Sequence, residues 1–172
     1  MTFPITTRST GFLITASAWN ELVDAINFIW SGAPTVKVYN SANISVPNNT
    51  ETALTFDTEL WDTDGMHDTV SQTERLTCVT AGKYYIHACV EFAAGNTGYR
   101  LLSIRLNGST YLARIKVQAA TSSQPTILAL STEADLVAAD YVELTAWHTQ
   151  GSAINAVYAA AYSPNFGMRR LG

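Results

Sequence analysis

Charge is what this sequence has least of. Only 14% of its 172 residues are Asp, Glu, Lys or Arg, against about 25% in an ordinary soluble domain. A lone monomer would have to cover itself with Thr, Ser, Asn and Ala. A chain that buries part of its surface against copies of itself explains the shortage more simply. The charges sum to −4, the pI is near 5.2, and the few basic residues form no stripe. If "LNGST" is a hairpin turn, Arg114 and Lys116 point to one side and Arg100 to the other. This scatter excludes a phosphate-tracking groove, and with it nucleic acid as a partner.

Cysteine is almost as scarce. Cys78 and Cys89 are too few for a disulfide framework and have no metal-site spacing. With a tight turn at 80–83, Cys78 would face a residue near Tyr85, so two buried free thiols are expected. Long apolar runs are missing too. Nothing approaches the roughly 18 residues of a membrane span, so no membrane insertion is expected. The opening "MTFPITTRSTGF" has no apolar signal core, and Arg8 stands alone. It predicts a chain made in a cytoplasm. The length fits one domain that buries roughly 70% of its unfolded surface.

What is present divides at residue 33. Residues 1–13 carry no periodicity and read as an arm. In "ITASAWNELVDAINFIWSG", Thr15 or Ser17 can cap a helix. Trp19, Leu22, Ile26 and Ile29 then recur at heptad spacing, and Val23 and Trp30 widen the stripe. Ser31-Gly32 stops the helix and Pro34 follows. About four turns are marginal alone, so the stripe must lie against the domain, symmetry mates or another protein.

From Thr35 the period changes to two. "TVKVY", "NISV", "TALTFDT", "KYYIHACVEFA", "TILALST", "DYVELTAWHT", "INAVYAAAYS" and "FGMRRL" read as strands separated by Gly, Ser, Pro or Asp. In "KYYIHACVEFA", Tyr84, Ile86, Ala88, Val90 and Phe92 share one face. Tyr85, His87, Cys89 and Glu91 share the other. "RLLSIRLNGSTYLARIKV" is a hairpin turning at Asn107-Gly108. No helix lies between the strands, which excludes a parallel sheet. The expected fold is all-β, an antiparallel jelly-roll sandwich of about ten strands, preceded by one short N-terminal helix and arm.

Chemistry is sparse. "LWDTDGMHDTV" concentrates Asp62, Asp64 and Asp68 around His67, next to Asp57 and Glu59. A bend at Gly65 with several carboxylates has the flavour of a calcium loop, although not an EF-hand. The simpler reading is a polar turn between the "TALTF" and "RLTCV" strands. Its Asp side chains would satisfy backbone N–H groups, and Trp61 and Met66 would pin it. A depolymerase working through Asp62 or Asp64 is the enzymatic alternative, and no turnover is expected. His87 and His148 stand apart from any catalytic pattern, and there is no nucleophile elbow, P-loop or zinc helix. Tyr84, Tyr85, Tyr99, Trp147 and Tyr158 could offer a sugar platform, but such residues more often fill a core or a subunit interface.

The order of phrases resembles a known family. "LTCVTAGKYYI", Leu76 to Ile86, is similar to the F-T-C-P-x-x-G-x-Y-x-F phrase of complement-component-1q-type domains, with Ala81 replacing its Pro. "LVAADYVEL" resembles the family's G-D-x-V-x-L element, with Ala139 where Gly is commoner. "SPNFGMRRLG" resembles its closing strand. The likeness runs from about Thr35 to Gly172. It implies the ten-stranded jelly roll shared with tumour-necrosis-factor-like proteins, assembled as a homotrimer. Tyr85, Tyr99, Trp147, Tyr158 and Phe166 are the expected interface residues.

The first 33 residues resemble a different group. Gly11 to Ala16, Trp19-Asn20, Val23, Ile26 and Phe28-Ile29 follow the opening of small tailed-bacteriophage structural proteins. This implies a non-enzymatic virion protein made in the host bacterial cytoplasm and exposed on the particle surface. It would be a capsid decoration, head-fibre or tail-fibre tip module. Residues 1–33 would attach it to capsid or tail proteins, and residues 34–172 would form the jelly roll. The alternative is a module that recognises a host-surface glycan or protein through distal loops 47–52, 60–74 and 120–125. No cofactor is expected beyond the calcium option.

Overall fold

The computed structural model describes residues 15–121, 124–160 and 162–171, with the side chains of 29–31 left out. The expected arm, residues 1–13, lies outside the described residues, as do the side chains of Ile29 and Trp30. Contacts divide the chain between Ala33 and Pro34 into two compact units. The first contains helix α1 (Ala16–Ser31). Thr15, not Ser17, caps it: Thr15 is extended, and its hydroxyl accepts from Ala18 N at 3.2 Å. Ser17 instead bonds Glu21 within the helix. Gly32, at φ +80°, ends it.

The second unit is a sandwich. In chain order its strands are β1 (Thr35–Tyr39), β2 (Ile44–Val46), β3 (Thr52–Ala53), β4 (Thr58–Asp62), β5 (Arg75–Thr77) and β6 (Gly82–Phe92). They continue as β7 (Tyr99–Leu106), β8 (Thr110–Gln118), β9 (Thr126–Leu136), β10 (Tyr141–His148), β11 (Ile154–Ala156) and β12 (Asn165–Arg170). The first sheet runs β4-β1-β12-β6, with β9 on the other edge of β6. The pair β11 and β2 extends it beside Phe92. The second sheet places β3 and β5 end to end along β10, followed by β7 and β8. Every pairing is antiparallel, and β4 to β7 alternate between sheets. This is the expected jelly roll, with twelve strands among the described residues because β2, β3 and β11 are only two or three residues long.

Alternation builds the core. Tyr84, Ile86, Ala88, Val90 and Phe92 of β6 face inward with Val36, Val38, Phe166 and Met168. They meet Leu102, Ile104, Val142, Leu144 and Ala146 of the second sheet. Phe56 and Phe166 pack with ring centroids 5.8 Å apart. Each such side chain contributes about 1.5–3 kcal/mol by leaving water. At the β7–β8 turn, Asn107 and Gly108 both have positive φ, +50° and +71°, the geometry whose twist matches the flanking strands.

Three expectations change. Leu60–Asp62 are not loop: they end β4, which pairs with β1. The 80–83 stretch does not close a hairpin. β5 pairs with β10 in the second sheet, and β6 lies in the first, so Cys78 is buried where the chain crosses between sheets. The "INAVYAAAYS" strand ends at Ala156.

Candidate functional site

The acidic loop is a set of turns. Asp62 Oδ1 accepts from Asp64 N at 3.1 Å and its Oδ2 from His67 N at 2.9 Å. Asp68 Oδ1 accepts from Val70 N and Ser71 N at 2.8 and 3.0 Å. Those two bonds hold the Asp68 carboxyl below its ordinary range. His67 lies between Glu59 and the Thr73 carbonyl. Met66 anchors the loop in the core, whereas Trp61 stays 47% exposed. Among the described residues no three His, Cys, Asp or Glu side chains gather as metal ligands. Asp62, Asp64 and Asp68 therefore do not converge on a calcium-like centre, and Asp62 spends both oxygens on the backbone.

The outer face of the first sheet differs from the loop in kind. Alternation turns Lys37 and Tyr39 of β1 outward, with Tyr85, His87 and Cys89 of β6 and Ile127, Ala129 and Ser131 of β9. Tyr85 stacks on His87 at 5.9 Å, and Tyr39 stacks on Tyr158 at 6.4 Å. The His87 imidazole lies over Gly167, its cross-strand partner. A Cβ there would sit 2.7 Å from His87 Cε1 and 2.8 Å from the Val36 carbonyl oxygen, so only glycine fits. His87 Nδ1 is buried without a hydrogen-bond partner. Burial, helped by the Lys37 charge, pushes the His87 pKa below its usual value, which leaves the ring neutral at pH 7. Burial pushes the Cys89 thiol up, so it is not a reactive thiolate. The middle of this face is aromatic and small around His87, with Lys37 in the His87 row and Glu133 and Arg169 flanking Tyr85.

The outer face of the second sheet is a charged network. Arg105 bridges Glu143, at 2.8 Å, and Glu51, at 3.5 Å. Glu51 also accepts from Thr145 Oγ1 and Tyr111 OH, both at 2.8 Å. Burial alone would raise its pKa. Those hydrogen bonds and the Arg105 and Arg114 charges outweigh it, and Glu51 titrates below its ordinary range. Glu51 lies 54 residues from Arg105, so no local sequence signal could have paired them. Arg114 and Lys116 do share a face, as alternation required, while Arg100 is buried and bonded to Gly95, Thr97 and Gln150.

The five residues expected at a subunit interface do not share a surface. Tyr85 and Tyr158, 40% and 42% exposed, lie on the first sheet's outer face. Tyr99 and Trp147 belong to the second sheet. Phe166 is fully buried in the core of its own chain, so it has no surface to offer a neighbour. Its alternation with Asn165 and Gly167 was the available signal. On α1, Trp19, Leu22 and Ile26 are 54%, 43% and 51% exposed, and Val23 is half-buried.

No family model matches the chain, and no curated protein matches its sequence. Solved structures do match. Murine APRIL at pH 5.0 superposes with a TM-score of 0.61 at 12% identity, covering 81% of this chain and 99% of that one. The globular domain of zebrafish complement 1qA gives 0.58 at 14% identity, covering 81% and 98%. Eiger TNF from S. frugiperda gives 0.58 at 11% identity, covering 81% and 93%. Residues from β1 onward thus carry the jelly-roll fold common to tumour-necrosis-factor-like and complement-1q-like domains.

Proposed function

We propose that the chain is a non-enzymatic structural protein of a tailed-bacteriophage virion. It is a homotrimeric decoration, head-fibre or fibre-tip module, held to capsid or tail proteins by residues 1–33. It is made in the host bacterial cytoplasm and exposed on the particle. The observation that carries the homotrimer is the outer face of the first sheet. Exposed Tyr85 stacks on a neutral, half-buried His87 whose Nδ1 has no partner, and exposed Tyr158 and Ile127 lie on the same face. Such a face is suited to self-association: covering Tyr85, Tyr158 and Ile127 removes apolar area from water, His87 brings no charge, and Lys37, in the His87 row, must find a partner across the seam. The scarcity of charge in the whole chain points the same way, and so does the trimeric habit of the family its sequence resembles.

Attachment is supported by α1. Its exposed Trp19, Leu22 and Ile26 form an apolar stripe of the kind that marks a docking surface. The phage resemblance of residues 11–29 supplies the partner. Three anchors on one trimer raise the effective concentration of each, so weak single contacts become a firm attachment. The test is decoration of particles of the encoding phage by purified protein. The full chain is expected to co-sediment with them. A chain lacking residues 1–33 is expected to remain a soluble trimer and to stay in the supernatant. Decoration by the truncated chain contradicts the anchor.

A second reading, recognition of a host-surface glycan or protein, is favoured by a separate observation, the polar outer face of the second sheet.

A further inference from the structure

That second-sheet face contains a cleft of about 410 Å³ lined by Asn49, Glu51, Leu101, Arg114, Lys116 and Trp147. The volume is at the lower end of small-ligand sites. The pairing explains why these residues meet. Trp147, Leu101 and Lys116 lie side by side on β10, β7 and β8. Thr145, Ser103 and Arg114 form the next row. Leu101 is nearly buried and the Trp147 indole half-buried, so the cleft has an apolar floor.

The two cations are the informative part. Arg105 is neutralised between Glu51 and Glu143, and Arg75 pairs with Glu74. Among the described residues Arg114 and Lys116 form no ion pair at contact distance, although the Arg114 charge helps hold Glu51 ionised. Aromatic rings hold them instead. Arg114 Cζ is 4.2 Å from the Tyr111 ring centroid. Lys116 Nζ is 4.3 Å from that of Tyr99 and 5.8 Å from that of Trp147. Cation–π contacts orient a cation without cancelling its charge. Arg114 Nε donates to Ser103 Oγ at 3.2 Å, which leaves its terminal amino groups for an anion. Beside this pair stands Glu51, kept ionised by its own network and able to accept only from donors such as ligand hydroxyls.

We propose that this cleft binds a carboxylated saccharide, a hexuronate unit of an acidic glycan. Arg114 and Lys116 take the carboxylate as charge-assisted donors. The sugar's C–H face covers Trp147 and Leu101, and its hydroxyls meet Asn49 and Glu51. A neutral sugar loses the ion pair, and a bare anion loses the stacking. This site rests on the host-recognition reading but not on virion attachment. It adds a sheet face to the loop residues Asn49 and Glu51, without loops 60–74 or 120–125.

The test uses the 172-residue chain as purified and indole NMR signals. Galacturonate, glucuronate and mannuronate oligosaccharides are titrated against matched neutral oligosaccharides and sodium sulfate. The expected result is a saturable shift of the Trp147 indole by at least one uronate, roughly tenfold tighter than by its neutral counterpart or by sulfate. Arg114→Gln with Lys116→Gln is expected to weaken it by at least about tenfold at unchanged melting temperature. No shift with any uronate up to roughly 20 mM, far above a millimolar Kd, overturns the proposal. Equal binding of neutral sugar or of sulfate, or an unchanged affinity in the double variant, does the same. Labelled protein on host cells separates the two readings. Cell binding that survives the double variant overturns the cleft and leaves host recognition standing. Uronate binding without cell binding does the reverse.

Discussion

Ala139 holds a φ of +75° at the third position of the turn from Val137 to Asp140, which is closed by Asp140 N to Val137 O at 3.0 Å. That position in such a turn asks for glycine. A side chain there costs roughly 1–2 kcal/mol, and glycine returns part of this by freeing the unfolded chain. Ala139→Gly is therefore expected to stabilise by about 0.5–1 kcal/mol, a rise of roughly 1–4 °C in thermal unfolding at fixed concentration. The sequence likeness already marked Ala139 as a departure; its strain needed the backbone. His87 was legible only as an outward strand residue. Its lowered pKa has a pH consequence. The stability it contributes is complete above the unfolded value of about 6.5. It is lost as pH falls from there through the folded pKa, because the unfolded chain takes up a proton that the folded site resists. The melting temperature is expected to decline below about pH 6.5, and His87→Gln to flatten that slope whatever it does to the plateau. Asp68 and Asp140, held low by hydrogen bonds, add their loss only below about pH 4.

Elements declared by short-range chemistry were readable in advance. Helix α1 had a cap, a stripe and a stop; the β7–β8 hairpin had Asn107-Gly108. Strands β4 and β5 were different. Whether Leu60–Asp62 form a strand depends on β1, more than twenty residues away in sequence, and β5 chooses β10 over its neighbour β6. Local alternation cannot rank such partners. The hairpin turn is also tied to a distant segment. Asn107 Oδ1 accepts from Tyr141 N at 2.9 Å, and its Nδ2 donates to Asp140 Oδ1 at 2.8 Å. Asn107→Ala is expected to cost about 2 kcal/mol in denaturant unfolding, one neutral and one charge-assisted bond. Asn107→Gly, which accepts the positive φ, is expected to cost less. Equal costs would assign the whole effect to the lost hydrogen bonds.

At the scale of the molecule, the sandwich followed from period, turn spacing and the absence of helices. Which surface does what did not follow. Picking aromatic residues for an interface gathered Tyr85 and Tyr158 from one sheet, Tyr99 and Trp147 from the other, and Phe166 from the core. Aromatic character says that a residue seeks cover; only the pairing says where that cover lies. The two outer faces then separate by electrostatics. The first sheet's face sets aromatic and small residues around a neutral His87, with the Lys37 cation in the same row. The second sheet's face is a bonded charge network with two cations, Arg114 and Lys116, held over aromatic rings. Association of three chains through the first face, the proposed trimer, is tested most directly by sedimentation mass. The full chain is expected at three times 18.7 kDa, with Tyr85→Glu plus Tyr158→Glu reducing it to a folded monomer and Tyr99→Glu leaving it trimeric. A monomeric wild type, or a trimer that survives the first change and is broken by the second, would contradict it.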